Sequence, residues 1–233
     1  MSLLGSDSLF RHPRPHLELL RRYRHYAAQQ EFRVSALLSI VLFAASVVVN
    51  FYAGVYATER ASNPVTDIVL SNTRVFEVDW FFIYGSFFLI AFITLLCLAH
   101  PKRIPFTLHT LTLLILIRSV FISLTHIGPF PDQVALDLGA ITSKFIFGGD
   151  LFFSNHTAIP FMMALVYWRH EWLRAIFVAW SVFFGSIALL GHLHYTIDVL
   201  SAFFITYSVF CIAVWLFPKD HALFHADPAL EIS

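Results

Sequence analysis

Apolar residues fall into six runs separated by short polar segments, and the length of the runs predicts helices, since about 20 apolar residues are needed to cross a bilayer as a helix. The predicted spans are Val34 to Tyr56, Trp80 to Leu98, Phe106 to Leu124, His156 to Trp168, Ala175 to Leu190 and Tyr195 to Phe217. The fourth is short as an apolar run because its first turn is polar. That suits a helix whose N-terminus opens into an aqueous cavity, where polar groups are tolerated. Ahead of the first span, Leu17, Leu20, Tyr23 and Ala27 recur at helical spacing opposite Arg21, Arg22 and Arg24. This segment reads either as an amphipathic helix along an anionic membrane surface or as a solvated basic flank. The resulting division is a tail and interfacial helix over residues 1–33, a membrane domain over 34–217 and a second tail over 218–233.

Composition agrees with that class. Hydrophobic residues make up 58% of the chain and charged residues 13%, with a mean hydropathy of +0.72. Soluble domains carry roughly 25% charged residues, so this is an integral membrane protein, an all-α six-helix bundle. A formal net charge of zero points to no nucleic-acid partner. Cys97 and Cys211 both lie in apolar runs and suggest no disulfide framework.

The basic residues are unevenly placed. Six lie before the first span, two follow the second, two follow the fourth and one follows the sixth, against Arg60, Arg74 and Lys144 in the longer alternate loops. The positive-inside bias therefore puts both termini in the cytoplasm. It also puts two polar islands, Gly148–Thr157 and Gly191–Asp198, on the exoplasmic face.

These islands hold the candidate chemistry. His194 and Asp198 are four apart, the spacing of one helix face, and a carboxylate beside an imidazole fixes its tautomer and stabilises its charge. The other ring nitrogen is then free to act as a nucleophile. His156, near the start of another helix, is placed to pass a proton to a leaving oxygen. Arg118 sits well inside the third span, where a charge needs a partner or a polar cavity; it reads equally as a phosphate contact and as one half of an ion pair with Asp150 or Asp198. Lys144 is a second cation in reach of the first island, or a solvated loop lysine. A metal site from Asp150, His156, His192 and His194 is the rival reading, the two histidines converging if they lie in a turn.

The residues Gly148-Gly149-Asp150 through Ser154-Asn155-His156-Thr157, followed by His194-Tyr195-Thr196-Ile197-Asp198-Val199, resemble the type 2 phosphatidic acid phosphatase superfamily. More narrowly they are similar to its sphingomyelin synthase-like branch, and Arg118-Ser119 resembles that branch's Arg-Ser motif. The resemblance implies a six-helix fold and two-step transfer through a phosphohistidine, with no cofactor. It makes His194 the nucleophile, Asp198 its orienting partner, His156 the acid and then the base, and Asp150 an aid to proton transfer. Asn155 and Tyr195 stand at motif positions beside the substrate. Asn155 replaces the branch's usual glycine, and the Arg-Pro of soluble phosphatases is missing beyond the N-terminal tail.

The expected activity is therefore a membrane lipid phosphotransferase, moving a phosphorylated head group from a phospholipid to a lipid hydroxyl such as that of ceramide or diacylglycerol. A lipid phosphatase using water and a non-catalytic lipid-binding or scrambling protein are the alternatives. Bacterial inner membrane and endomembrane are both consistent with the chain.

Overall fold

The computed structural model describes residues 15–133 and 149–226, the first two of them by backbone alone. Every regular element among the described residues is helical. Besides two short 3-10 helices, Leu70–Asn72 and Pro101–Arg103, these are in chain order α1 (Pro15–Ala28), α2 (Gln30–Glu59), α3 (Asp79–Ala99), α4 (Ile104–Leu124), α5 (Asn155–Val166), α6 (Glu171–Leu190), α7 (Thr196–Leu216) and α8 (Pro218–His225). Each of the six expected spans has its helix, displaced at its ends by a few residues.

Five helices, α2, α3, α4, α6 and α7, are long and apolar enough to cross a membrane. α5 is different. Its 12 residues reach only about 18 Å, against a hydrocarbon layer of about 30 Å. It is also the most enclosed helix: Thr157, Ala158, Met162, Met163, Ala164 and Val166 have no exposed surface. Lipid-facing surface lies instead on helices such as α2 and α3, where Val34, Leu37, Val41, Phe81 and Phe88 are all more than half exposed. A row of large apolar residues facing outward is costly in water and favourable in a bilayer. Trp80, Trp168, Trp172 and Trp215 are exposed near helix ends, as interfacial aromatics are expected to be.

Close approach fixes α5 between α6 and α7. A Cβ on Gly185 of α6 would fall 2.9 Å from Val199 of α7 and 3.4 Å from the Thr157 hydroxyl, so this crossing needs glycine. Ser181 of α6 donates to the Thr157 carbonyl at 2.7 Å. The far end of α5 is held from the turn between α3 and α4. The Arg103 guanidinium stacks on Tyr167 and on Phe224 of α8, 5.3 Å from each ring centre, and its Nη2 meets His170 Nε2 at 3.0 Å.

Two polar segments are more structured than their sequence suggests. α1 docks on the turn between α3 and α4: Tyr26 is buried, the Tyr23 hydroxyl donates to the Leu98 carbonyl at 3.0 Å, and Arg22 reaches His100 at 3.3 Å. The segment after α7, expected to be a tail, forms α8, and Lys102 donates to the Ala226 carbonyl at its end.

At the opposite end, the loop from Arg60 to Val78 is tied to the start of α7 by Asp67. Its carboxylate accepts from the Thr196 amide (2.7 Å) and hydroxyl (2.8 Å), and from the amides of Val69 and Leu70. Burial alone would raise the Asp67 carboxyl, but the hydrogen bonds from Thr196, Leu70 and Val69 outweigh it and hold its pKa below the usual carboxylate range. The stability it contributes is therefore present above the ordinary carboxylate pKa and is lost as pH falls through the lowered folded value. Asp67→Asn should lower stability by about 1 kcal/mol at neutral pH, with the gap to wild type closing in acid, as read from thermal unfolding in detergent at several pH values.

The two ends of the bundle also make a labelling prediction. In a Cys97→Ser, Cys211→Ser background, Ile68→Cys and Trp172→Cys are both exposed and lie at opposite ends. An impermeant maleimide should reach them from opposite sides of the membrane, Ile68→Cys from outside on the charge bias of the loops.

Candidate active site

The site is built where α4, the segment Gly149–Ser154 and the start of α7 meet. Arg118, only 3% exposed, lies six residues before the end of α4, about 9 Å below it along the helix axis. A charge at that depth needs every hydrogen bond it can make. Arg118 Nε donates to the Phe153 carbonyl at 2.9 Å, and Nη2 donates to the Asp150 carbonyl at 2.6 Å and to its carboxylate at 3.1 Å. Nη1 reaches Asn50 Oδ1 of α2 at 3.4 Å. Of the two partners the sequence offered Arg118, the structure chooses Asp150 over Asp198.

This clamp shapes the backbone around Leu151, whose carbonyl accepts from His194 Nδ1 at 2.9 Å. A carbonyl can only accept, so Nδ1 carries the proton and the lone pair of the neutral ring is on Nε2. Asp198 is farther, with Oδ2 3.6 Å from the same nitrogen. The reason is local geometry. The helix starts at Thr196, so His194 precedes it, and the four-residue spacing does not run along a helix face. Asp198 instead caps α7 by accepting from the Tyr195 amide at 2.9 Å. It stays within electrostatic reach of the imidazole.

His156 stands in the first turn of α5. Its ring packs on Phe82, 4.0 Å between centres, and its Nδ1 is buried without a partner. It lies within electrostatic reach of both His194 and Arg118. The two helix starts are joined directly: the Ser154 amide donates to the Asp198 carbonyl at 3.2 Å.

The N-termini of α5 and α7 differ in a way that bears on chemistry. Asp198 and Asp67 satisfy the Tyr195 and Thr196 amides at the start of α7. The start of α5 has no side-chain cap. There Ser154 Oγ, Asn155 Oδ1, His156 Nδ1 and Thr157 Oγ1 are all buried with no hydrogen-bond partner among the described residues. Buried polar atoms are normally satisfied, and the N-terminus of a helix attracts anions, so the Ser154 and Thr157 hydroxyls, which can donate, suit a ligand rich in anionic oxygen, whereas Asn155 Oδ1 only accepts.

The remaining expected residues divide. Asn155 takes helical backbone as the first residue of α5, so no left-handed glycine geometry is needed there. The Tyr195 side chain turns away from His194: its hydroxyl donates to the Gly128 carbonyl at 2.8 Å and accepts from the Val65 amide at 3.2 Å. With its hydroxyl so occupied, it braces two loops. Lys144 lies outside the described residues. His192 has a left-handed φ of 51°, closes α6 through Leu193 N to the Ala188 carbonyl, and sets its ring against Phe130. Among the described residues no three His, Cys, Asp or Glu side chains converge as metal ligands.

Sequence reasoning missed Leu151, Asn50 and Asp67. A backbone carbonyl leaves no mark in a sequence, whereas Asn50 is a lone amide inside an apolar run and was open to notice. Replacing Arg118 strands Asp150 and two carbonyls, so Arg118→Gln should destabilise the protein by about 3–5 kcal/mol and Asp150→Asn by less, as read from denaturation in detergent.

The family model described as PAP2 superfamily C-terminal matches residues 148–215. No curated protein and no solved structure matches the chain. The matched stretch holds Asp150, Asn155, His156, His194, Tyr195 and Asp198; Arg118 and Lys144 precede it. The match supports the type 2 phosphatidic acid phosphatase superfamily for the segment that builds most of this site, and with it phosphatase or phosphotransferase chemistry on lipid phosphates.

Proposed function

We propose that the protein is a lipid phosphotransferase of the sphingomyelin synthase-like kind, with His194 as nucleophile. The observation that carries this reading is the hydrogen bond from His194 Nδ1 to the Leu151 carbonyl, which leaves Nε2 as the attacking lone pair beside the uncapped start of α5. In the first step a bond forms between Nε2 and phosphorus, and the bond from phosphorus to the leaving lipid oxygen breaks. That oxygen takes a proton from His156. In the second step the acceptor hydroxyl gives its proton to His156 and bonds to phosphorus as the bond to Nε2 breaks.

Charge is handled by the surroundings. The α5 N-terminus with Ser154 and Thr157 receives the phosphoryl oxygens, Arg118 adds positive potential from behind the loop, and Asp198 stabilises the charge that His194 gains. Burial of His194 and Arg118 favours a lipid hydroxyl over water as acceptor. Ceramide and diacylglycerol are acceptors of the right chemistry. The reading includes six membrane segments, with α5 as the short fourth, both termini cytoplasmic and the site on the exoplasmic side.

The test is incubation of the purified protein with a phospholipid labelled in its head-group phosphate. Wild type should acquire acid-labile label and His194→Ala none; equal labelling of the two would overturn the mechanism. Added ceramide or diacylglycerol should discharge the label into a new lipid, whereas hydrolysis would release it to water. His156→Ala should slow turnover by about 100- to 10,000-fold.

A further inference from the structure

A second candidate site lies at the other end of the bundle. A cavity of about 1300 Å³ opens between the start of α2, α4, the end of α7 and α8. His109, which lines it, is nine residues before Arg118 on α4, about 13 Å away along the helix axis. It is not an extension of the phosphate site.

The polar floor of this cavity is made from three helices. Asp220 of α8 accepts from Ser35 Oγ of α2 at 2.7 Å through one carboxylate oxygen and from His109 Nδ1 at 3.0 Å through the other. Because a carboxylate only accepts, His109 Nδ1 carries a proton. The neutral ring then offers Nε2 as an acceptor. That atom is buried and has no partner among the described residues, although His109 is only 2% exposed. The ring is held in place by parallel stacking on Phe217, 4.2 Å between centres. Each carboxylate oxygen uses one hydrogen bond and retains capacity for another. The floor therefore presents acceptors that call for a donor.

The walls are apolar: Phe32, Val34, Leu38, Leu216 and Leu223 line the cavity. At its rim Glu31 and Lys219 are both exposed and cancel in charge. Lys102, a buried base, donates to the carbonyl of Ala226, which lines the cavity. A phosphate or carboxylate head would meet the Asp220 carboxylate and the His109 lone pair, two like-signed partners. A protonated amine satisfies both and is favoured by charge.

We propose that this cavity binds an amphiphile with a primary ammonium head and a long alkyl chain, the head on Asp220 and His109 and the chain along Leu38 and Leu216. Such a ligand would pin α8 and the start of α2 to α4, at the opposite end of the bundle from the site of chemistry. The probe is a long-chain primary alkylamine carrying a diazirine and an alkyne, added to the full chain in phosphatidylcholine nanodiscs. After irradiation, crosslinks should map to peptides covering residues 30–38 and 216–226. Excess octadecylamine should suppress them and excess octadecanoic acid should not. Asp220→Asn should lower the labelling by about tenfold or more, the scale of one hydrogen bond to a charged group. Leu38→Trp, which fills the cavity without touching its floor, should also abolish labelling. His194→Ala should leave it unchanged, so the result stands or falls apart from the proposed catalysis. Labelling that the acid competes equally, or that survives Asp220→Asn in protein of unchanged size-exclusion profile, would mean a gap filled by bulk lipid and would overturn the proposal. So would an absence of labelling in either peptide.

Discussion

The Arg118 guanidinium takes its partners from two places that the chain must bring together: an amide on α2, and two carbonyls with a carboxylate on the loop before α5. Nearly everything at the site depends on this one cation. The carbonyls it holds flank Leu151, and the Leu151 carbonyl sets which nitrogen of His194 is protonated. An arginine on one helix thus decides the tautomer of a histidine beside another, without touching it. Arg118 is suited to this because its planar fork offers several fixed donors; a lysine offers a point charge with no comparable geometry.

A second arrangement follows from the placement of acids. Two helices begin at the site, and each brings the positive end of its dipole. Asp67 and Asp198 neutralise the start of α7, the helix that follows His194, while α5 is left without a carboxylate in its first turn. Positive potential is thereby concentrated at His156 and the neighbouring hydroxyls. Since Asp67 binds from a loop more than a hundred residues earlier in the chain, the polarity of the site is a product of the fold as well as of its motifs.

Much of this was legible in the chain. The helices could be read because a span is written in one dimension, as a run of apolar residues, and all six runs became helices close to their expected bounds. The two histidines and Asp198 were recognisable as polar residues in apolar surroundings. What could not be read are the partners chosen at long range. Asp198 was expected to orient His194 along a helix face, but the helix begins two residues too late and a carbonyl 43 residues away takes the closer position. Tyr195 looked like a substrate contact because it stands inside the second histidine motif, yet its hydroxyl bonds Gly128 and Val65. The α8 helix was hidden for a related reason: a short polar segment acquires structure from what it docks on, here Arg103 and Lys102 of the α3–α4 turn.

The depth of Arg118 has a consequence for how the protein is made. Arg118 precedes Asp150 and Phe153 by more than thirty residues in the chain, and an arginine without a partner inside a membrane helix opposes insertion by about 3 kcal/mol. Asn50 on α2 is, among the described residues, the side-chain hydrogen-bond partner of Arg118 that precedes it in the chain. The strong packing of α2 on α4 then takes on a temporal meaning. The two helices, with α3 between them in sequence, can pair around the charge, and the loop before α5 adds two carbonyls and a carboxylate to it. The amide on α2 is thus the partner that the chain supplies first, and it keeps its bond when the loop's groups are in place.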